Sequence, residues 1–282
     1  MRRIGSLAVV LVVLALAVGG CGHSSKPTTA LDRFKKILGH APAGVAREIA
    51  VKGEIAVADD GNYQPQSWVN KSGKLQGFDV DVARKLGELL GVKVTFTNPT
   101  WDAVPGGLRS GAFDVSIGSL APTAELQALI DFTDPYYYTG GQLAVKQGTP
   151  PILNAAGLSG KIVGAGAQTT FFYWLRSHTS ATVKAFTTEA DAFPQLKDGT
   201  LTAIMAAQPT LRQAIKSGEP FVLSGSPLFY QGLAFGVRKN EPDLKAVLDY
   251  AIRTMRSDGS LSRLSKEWFG GADLTTKGTS GT

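Results

Sequence analysis

The chain has very little cysteine, histidine or extended apolar sequence. Its 282 residues include one cysteine and three histidines. A single cysteine excludes an internal disulfide. The longest apolar run, residues 7–18, is about a dozen residues, whereas a helix that spans a membrane needs roughly 20. We therefore expect the mature chain to be exported rather than embedded in the bilayer.

The charges are also sparse and dispersed. The chain carries 29 basic and 23 acidic residues, a net charge of +6, without a dense group of lysines and arginines. Nucleic acid is therefore not an expected partner. His23, His40 and His178 are scattered, and no paired carboxylates or Ser/His/Asp arrangement stands out. We expect no metal, no cofactor and no catalytic residues, so the protein is not predicted to be an enzyme.

The first 20 residues have the pattern of a bacterial signal peptide. A basic start precedes the apolar run, which ends at Gly19-Gly20-Cys21. Small residues before a lone cysteine resemble a lipobox, in which the thiol is acylated and the chain is cut before it. We expect residues 1–20 to be removed and Cys21 to anchor the protein in the cell envelope, on the outer face of the cytoplasmic membrane. The alternative is an ordinary signal peptide with an incidental cysteine.

Residues 21–49 are predicted to form a lipid-anchored tether with one short helix. The segment 22–29 is rich in Ser, Thr, Lys and Pro, as linkers are. Four apolar residues then fall on one helical face: Leu31, Phe34, Ile37 and Leu38. Thr28 or Thr29 is the expected N-cap and Gly39 the expected end. We expect this helix to pack on the folded body, with contact to the membrane surface as the weaker alternative.

From about residue 50 to 272, segments typical of strands and helices alternate. The expected strands are 54–59, 92–96, 113–118, 162–164, 183–186 and 203–206, and the expected helices are 78–90, 101–110, 190–197 and 243–255. This alternation predicts an α/β fold with parallel strands. Segments 141–146 and 232–239 are extended, with a glycine at the start and a basic end. They are either hinge crossings between two lobes or ordinary strands of one sheet.

Several motifs of this body occur together in one known family. They are Gly77-Phe78-Asp79-Val80-Asp81-Val82-Ala83, Trp101-Asp102, Gly111-Ala112-Phe113-Asp114, Asp131-Phe132-Thr133-Asp134-Pro135-Tyr136-Tyr137, Asp258-Gly259 and Lys266-Glu267-Trp268-Phe269-Gly270. Together they resemble the extracellular solute-binding proteins of ABC importers, in the family that carries polar amino acids. The resemblance implies a two-lobed α/β fold of the periplasmic-binding-protein type II, with two hinge strands and an interlobe cleft. Lobe 1 is expected at 50–140 plus 238–272, lobe 2 at 141–237, and a flexible tail at 273–282.

The resemblance also implies a mechanism and partners. The ligand binds one lobe, the other lobe closes over it, and the closed protein docks on a membrane permease. The expected partners are a small-molecule ligand, an ABC permease and, through the lipid anchor, the membrane. We expect the protein to be a monomer.

Three residues of the first lobe match positions that hold the ligand in this family. Tyr63 matches an aromatic residue that stacks on the ligand, with core packing as its alternative. Trp101 matches an aromatic or apolar cleft position, and burial within the lobe is equally consistent with its sequence context. Ser119 lies in a segment whose backbone and hydroxyl groups hold the ligand.

Three residues of the second lobe are further candidates. Thr169 and Thr170 match the start of a helix, where N–H groups and hydroxyls suit an anion or a carbonyl. The alternative is that these threonines only cap the helix. Gln208 follows the last position of another segment that contacts the ligand in the family.

Two positions depart from the family pattern. Leu126 stands where the family has an arginine that pairs with the α-carboxylate of an amino acid. Ala207 stands where the family has an aspartate that pairs with the α-amino group. A misalignment at either position is the alternative. Burying an unpaired charge costs roughly 3–5 kcal/mol, so we expect a ligand other than an ordinary α-amino acid, with a neutral polar or aromatic molecule first and an alkylated ammonium second.

Three classes of function are consistent with the sequence. The first is a binding protein that feeds an ABC importer. The second is a sensor that binds a solute and signals to a membrane receptor, or a degenerate binder without a ligand. The third is an enzyme on the same fold, similar to dehydratases that act on cyclohexadienyl carboxylic acids. The third is disfavoured, since these enzymes also need a cation for the substrate carboxylate and Leu126 does not supply one.

Overall fold

The computed structural model describes residues 29–277. The predicted signal peptide 1–20 and the predicted lipidation site Cys21 lie outside these residues. Within 29–277, no helix is both long and apolar enough to cross a membrane. The α/β class predicted from the alternating pattern is confirmed.

Strands and helices alternate along most of the described chain. The α-helices are α1 (Ala30–Leu38), α2 (Gly44–Lys52), α3 (Phe78–Leu90), α4 (Val104–Ser110), α5 (Ala124–Leu129), α6 (Thr170–His178), α7 (Phe193–Lys197), α8 (Gln208–Lys216), α9 (Pro242–Ser257) and α10 (Ser260–Trp268). The strands are β1 (Glu54–Ala58), β2 (Asn62–Tyr63), β3 (Ser67–Val69), β4 (Leu75–Gln76), β5 (Lys93–Thr97), β6 (Val115–Leu120), β7 (Asp131–Phe132), β8 (Tyr137–Lys146), β9 (Ile162–Gly166), β10 (Thr182–Phe186), β11 (Ala203–Ala207) and β12 (Phe221–Val237).

The two predicted helices that contain proline begin with a 3₁₀ turn. Trp101–Ala103 leads into α4, and Ala190–Ala192 leads into α7. Pro105 and Pro194 each fall in the first turn of the α-helix that follows. Proline is tolerated there because the N–H that it lacks would have no partner inside the helix.

Nine strands form one sheet, in the order β10-β9-β11-β8-β12-β6-β1-β5, with β7 paired to β12. The long strand β12 joins its two halves: residues Phe221 to Leu233 pair with β8, and Ala234 to Val237 pair with β6. The predicted hinge segments 141–146 and 232–239 therefore fall largely on β8 and β12, which run antiparallel beside each other. Both segments are thus largely strands of one sheet, although they do not pair with each other: 141–146 pair with residues 221–229 of β12, and Gly232 pairs with Tyr138. Their role as hinge crossings stays a prediction.

A glycine is required where these two strands approach closely. A Cβ on Gly141 would lie 2.2 Å from the ring of Phe229 on β12. A Cβ on Gly140 would lie 2.5 Å from Pro227. Any larger residue would have to displace the Phe229 or Pro227 side chain, so Gly141, which begins the predicted segment 141–146, reflects this close packing.

Each half of the sheet has its own apolar core. The core of the first half packs α3 and α9 against β1 and β6, with Phe78, Leu86 and Leu248 fully buried. The core of the second half packs α6 against β8, β9 and β11, with Leu175 and Met205 fully buried. The cavity described below lies between these cores.

The predicted tether and tail are both shorter than expected. Helix α1 forms as predicted, with Thr29 as its N-cap and Gly39 as its C-cap, and its Phe34 is buried in the first core. The sequence analysis missed α2, whose Val45 and Ile49 enter the same core at a spacing of four residues. Residues 30–49 therefore belong to the folded body rather than to a tether.

The chain also stays packed beyond residue 272. The N–H of Tyr138 donates to the carbonyl of Leu274 at 2.8 Å. Thr275 is buried, and its carbonyl accepts a hydrogen bond from Arg256. The predicted flexible tail 273–282 is thus wrong for 273–277, and its remainder lies outside the described residues.

Candidate ligand-binding cleft

A cavity of about 90 Å³ lies between the two halves of the sheet. Its walls come from the segments at the carboxyl ends of β1, β5, β6, β9 and β10 and from β12. Ligands of open α/β sheets bind at such strand ends, because loops from several strands meet there. The lining residues are Asp60, Asn62, Tyr63, Trp101, Ser119, Ala121, Thr123, Leu126, Gly166, Ala167, Gln168, Thr169, Thr170, Phe171, Thr187, Thr188, Glu189, Gln231 and Leu233.

Five of the six predicted ligand residues line this cavity, and Tyr63 and Trp101 are two of them. Tyr63 lies on β2 and packs against the core of the second half, so it touches both sides of the cleft. Burial raises the pKa of Tyr63 well above its usual value, so its phenol stays neutral. Trp101 is half-buried and also contacts the smaller apolar cluster around Leu108. Each side chain therefore has a face in the cavity and a packing role.

Ser119 forms part of the cavity wall, but its hydroxyl already has partners. Its Oγ donates to the Asp79 carboxylate at 2.7 Å and lies 2.6 Å from the Tyr137 hydroxyl. Its N–H donates to the Tyr136 hydroxyl at 3.1 Å, and that hydroxyl donates to Asp79 at 2.6 Å. Its backbone has a φ of 58°, in the left-handed region. Ser119 thus ties the floor of the cleft to the family motif at Asp79 and to the start of β8.

Thr169 and Thr170 lie at the start of α6. Thr169 caps the helix, accepting from the N–H of Phe172 at 3.3 Å and donating to the carbonyl of Gly166 at 2.7 Å. The capping alternative therefore holds for Thr169, which still lines the cavity. The hydroxyl of Thr170 donates to the side-chain carbonyl of Gln231 on β12. Gln168 has a φ of 59°, a conformation that glycine adopts freely and other residues adopt rarely.

Gln208 does not line the cavity. It begins α8, and its side-chain amide lies 3.3 Å from the amide oxygen of Gln142. It borders a separate surface depression with Pro209 and Trp268. Ala207, at the end of β11, turns its side chain into the core of the second half. The predicted contact of Gln208 with a ligand therefore has no support from the lining of this cavity.

Of the two residues that depart from the family pattern, Leu126 lines the cavity and Ala207 does not. Leu126, on α5, lines the cavity and, like Trp101, packs against the apolar cluster around Leu108. Ala207 is fully buried among apolar side chains. Of the two positions, only residue 126 therefore contributes to the wall of the cavity, while residue 207 belongs to the apolar core.

The aromatic run 171–174 lies in the first turn and a half of α6, and its side chains point to different sides of the helix. Phe171 is buried and lines the cavity. Trp174 stacks on Phe229 at a ring distance of 5.3 Å and on His178 at 4.8 Å, outside the cavity. The run is helical, and of its four residues only Phe171 lines the cavity.

Two acidic residues of the cavity escaped the sequence analysis. Asp60 follows β1, and Glu189 follows β10. Burial raises the pKa of Glu189 to about 7, with further contributions from the carboxylates of Asp60 and Asp191. Burial also raises the pKa of Asp60. The signal that could have found them is their position just beyond the carboxyl ends of predicted strands.

A buried acidic pair lies just below the cavity. Burial raises the pKa of Asp59 to about 7 and raises that of Asp79 well above its usual value. The charge of Asp59 further raises the pKa of Asp79, and the charge of Asp60 further raises that of Asp59, as expected of like charges in a poorly solvated site. Among residues 29–277, no group of three or more His, Cys, Asp and Glu side chains is arranged to hold a metal ion.

The fold and its cleft define a two-lobed α/β binding protein. The sequence profile of the bacterial extracellular solute-binding proteins, family 3, matches residues 55–271. The chain belongs to this family.

Curated relatives and solved structures agree. The chain is 31% identical over 238 residues to the L-cystine-binding protein TcyJ of Escherichia coli (strain K12), covering 83% of this chain and 89% of TcyJ. It is 28% identical to the histidine-binding periplasmic protein of Salmonella typhimurium, over 78% of this chain and 89% of that protein. The structure of AncCDT-1, an ancestral amino acid-binding protein described as a precursor of cyclohexadienyl dehydratase, is similar with a TM-score of 0.74 and 29% identity, over 80% of this chain and all of that chain.

Proposed function

We propose that this protein captures a small solute in the cleft and delivers it to an ABC importer. The observation that carries this proposal is a cavity lined from both halves of a family 3 solute-binding fold. Contacts such as that of the Thr210 hydroxyl with the Gln66 amide oxygen, at 3.4 Å, join the halves beside the cavity. Closure of one half over a ligand bound to the other would exclude water and strengthen each polar contact.

Membrane attachment and lobe boundaries are part of the same proposal. Lipidation at Cys21 would hold the protein on the outer face of the cytoplasmic membrane, where a permease is within reach. Lobe 1 would comprise about 30–140 plus 238–277, extended at both ends by the packing of α1, α2 and the final residues. Lobe 2 would comprise 141–237. A monomer suffices, since one chain supplies both walls of the cavity.

The ligand is proposed to lack the α-carboxylate of an ordinary amino acid. Leu126 lines the cavity where the family has its arginine, and the cavity residues described here include no other basic side chain. A carboxylate enclosed there would lose its hydration without gaining a cation, at a cost of roughly 3–5 kcal/mol. That is about two to three and a half decades of affinity.

A thermal-shift screen tests this proposal. We expect none of the 20 standard amino acids, at about 100 µM, to raise the melting temperature by more than about 1 °C. At least one neutral or cationic solute is expected to do so. Stabilisation by a standard amino acid at that concentration would show that the loss of the arginine does not exclude the zwitterion.

Delivery separates an importer from a sensor. The measurement is ligand uptake by proteoliposomes that contain a permease and ATPase encoded beside this protein. Uptake that depends on adding the protein supports the importer. Binding without uptake favours a sensor. Turnover of candidate cyclic carboxylic acids would support an enzyme. The similarity to AncCDT-1 is the reason to measure this turnover.

Tyr63→Ala and Thr170→Ala are each expected to weaken binding of the ligand found in the screen by about tenfold. The first removes the aromatic wall that touches both halves, and the second removes the hydroxyl that ties α6 to Gln231 at the cavity. Isothermal titration calorimetry measures the change. Tyr250→Ala, on an exposed tyrosine of α9, is the control and is expected to bind as the wild type does. Unchanged affinity in both cleft variants would place the site elsewhere.

A further inference from the structure

The charge of the cleft has one sign. Among the cavity-lining residues within 29–277 there are two carboxylates, Asp60 and Glu189, and no lysine, arginine or histidine. Asp60 follows a strand of the first half of the sheet, and Glu189 follows a strand of the second half. The two acidic groups act on one another, because the charge of Asp60 contributes to the raised pKa of Glu189. A recess lined in this way attracts cations and repels anions.

Glu189 is buried without a side-chain partner among the described residues. It is only 8% exposed, and no side chain of residues 29–277 forms an ion pair or hydrogen bond with its carboxylate. Only its own backbone N–H favours its charged form. This differs from Asp79, whose two oxygens each accept a hydroxyl hydrogen bond. Buried carboxylates are normally paired with a cation or a hydrogen-bond donor. The lack of such a side-chain partner at Glu189 points to a ligand in the cavity that supplies the positive charge.

The backbone around Glu189 leaves this carboxylate accessible. A Cβ on Gly166 would lie 2.9 Å from Glu189 Oε1 and 3.1 Å from the methyl group of Thr169. Gly166 and Thr169 line the same cavity. Glycine at the end of β9 therefore makes room for the carboxylate at the cavity wall, beside the start of α6.

We propose that Glu189 is the counter-ion for a small organic cation that carries no carboxylate, such as an alkyl ammonium, diammonium or guanidinium compound. This inference rests on the proposed function, because it names the class of solute for the same cleft. Tyr63 and Trp101 add aromatic faces, which attract organic cations. Asp60 offers a second charge for a dication. A small organic cation thus replaces the neutral polar or aromatic molecule that the sequence alone favoured as the ligand.

The size of the cavity limits the cation. One water molecule takes roughly 10–15 Å³ of such a volume. The cavity of about 90 Å³ therefore has room for roughly six to nine water-sized groups. A short diamine or a small guanidinium compound fits this size.

Matched pairs of ligands test the proposal. Agmatine is arginine without its carboxylate, and 1,4-diaminobutane is ornithine without its carboxylate. We expect calorimetry at pH 8 to show a dissociation constant below about 100 µM for at least one of these amines or for choline. For an amine of a matched pair, we expect the corresponding amino acid to bind roughly 100-fold more weakly or not at all.

Variants at two neighbouring acids identify the counter-ion. Glu189→Gln keeps the size of the side chain and removes its charge, and is expected to weaken the cation roughly 30-fold or more. Asp191→Asn removes the same charge from an exposed residue of the adjacent 3₁₀ turn, outside the cavity lining. It is expected to change the affinity less than about threefold. Equal melting temperatures at pH 5 would show that both variants are folded.

The pH dependence provides a readout that a purely structural role would not change. The groups that face Glu189 are Asp60, Tyr63 and Asp191, all neutral or negative. Burial and the two acids raise the pKa of Glu189 to about 7, so protons compete with the ligand below that pH. Affinity is expected to fall up to about tenfold per pH unit below pH 7. In Glu189→Gln this dependence is expected to be smaller.

Different failures have different meanings. If a neutral or anionic solute binds and no cation does, the cation proposal is wrong and the solute-binding proposal stands. If a cation binds equally well to the wild type and to Glu189→Gln, Glu189 is not its counter-ion. If no solute of any class binds, both proposals fail.

Discussion

Asp79→Ala is expected to lower the free energy of unfolding by about 2–5 kcal/mol. The Asp79 carboxylate is fully buried and accepts hydrogen bonds from the hydroxyls of Tyr136 and Ser119, at 2.6 and 2.7 Å. Alanine would leave both donors without this acceptor and would open a void between α3 and β8. Urea denaturation at pH 7, followed by tryptophan fluorescence and circular dichroism, measures the change.

Asp79→Asn is the matched control for this prediction. Its amide oxygen can accept from Tyr136, and its NH₂ group can donate to the Ser119 oxygen, whose own proton can then go to Tyr137. We expect it to lose less than about 1 kcal/mol. Equal losses in the alanine and asparagine variants would mean that the negative charge of Asp79, rather than its hydrogen bonds, stabilises the fold.

The ligand-free protein is expected to lose about 3–5 kcal/mol of stability between pH 5 and pH 8. Burial raises the pKa values of Asp59 and Glu189 to about 7, from ordinary values of 3.8 and 4.5. Between the ordinary and the raised values, the folded protein holds protons that the unfolded chain has released. Raising the pH through this window therefore favours unfolding, since the folded state must ionise two poorly solvated acids.

Urea midpoints at pH 5, 6, 7 and 8 measure this loss. The double variant Asp59→Asn, Glu189→Gln removes both titrations while keeping a side-chain oxygen for the Gly61 N–H that bonds Asp59. Its unfolding free energy is expected to fall less between pH 5 and pH 8 than that of the wild type, with the remaining fall due to Asp79, whose pKa is also raised. At pH 8 its unfolding free energy is expected to exceed that of the wild type. Parallel pH curves for the two proteins would show that neither acid titrates near pH 7. A higher unfolding free energy of the double variant at pH 8 would also agree with a general trade-off, in which a buried charged group that serves binding lowers the stability of the fold.

Much of the fold could be predicted from local patterns. The spacing of Phe78, Val82 and Leu86 predicted a helix that the structure confirms as Phe78–Leu90. The alternation of Val92, Val94 and Phe96 predicted a strand, which the structure places at Lys93–Thr97. Such patterns succeed because the side that a residue faces follows from the period of its own helix or strand.

The candidate site was harder to predict. Tyr63, Trp101, Ser119, Thr169 and Thr170 lie in the cavity wall as the family resemblance implied. Gln208 does not, because the direction of a side chain at a strand end depends on how the next helix leaves the sheet. Asp60 and Glu189 were missed because an acidic residue after a strand looks the same in sequence whether it is solvated or buried.

The sequence by itself determined the family, the α/β class and the absence of the arginine at residue 126. These depend on residue identity and on local spacing, which can be read without coordinates. Only the tertiary structure decided that Ala207 is core, that α1 and α2 belong to the body, and that the cleft carries net negative charge. The reason is that burial and charge in the cavity arise where Asp60 and Glu189 meet from separate halves of the protein. The local sequence around Asp60 or Glu189 contains no information on which distant residues share the cavity with it.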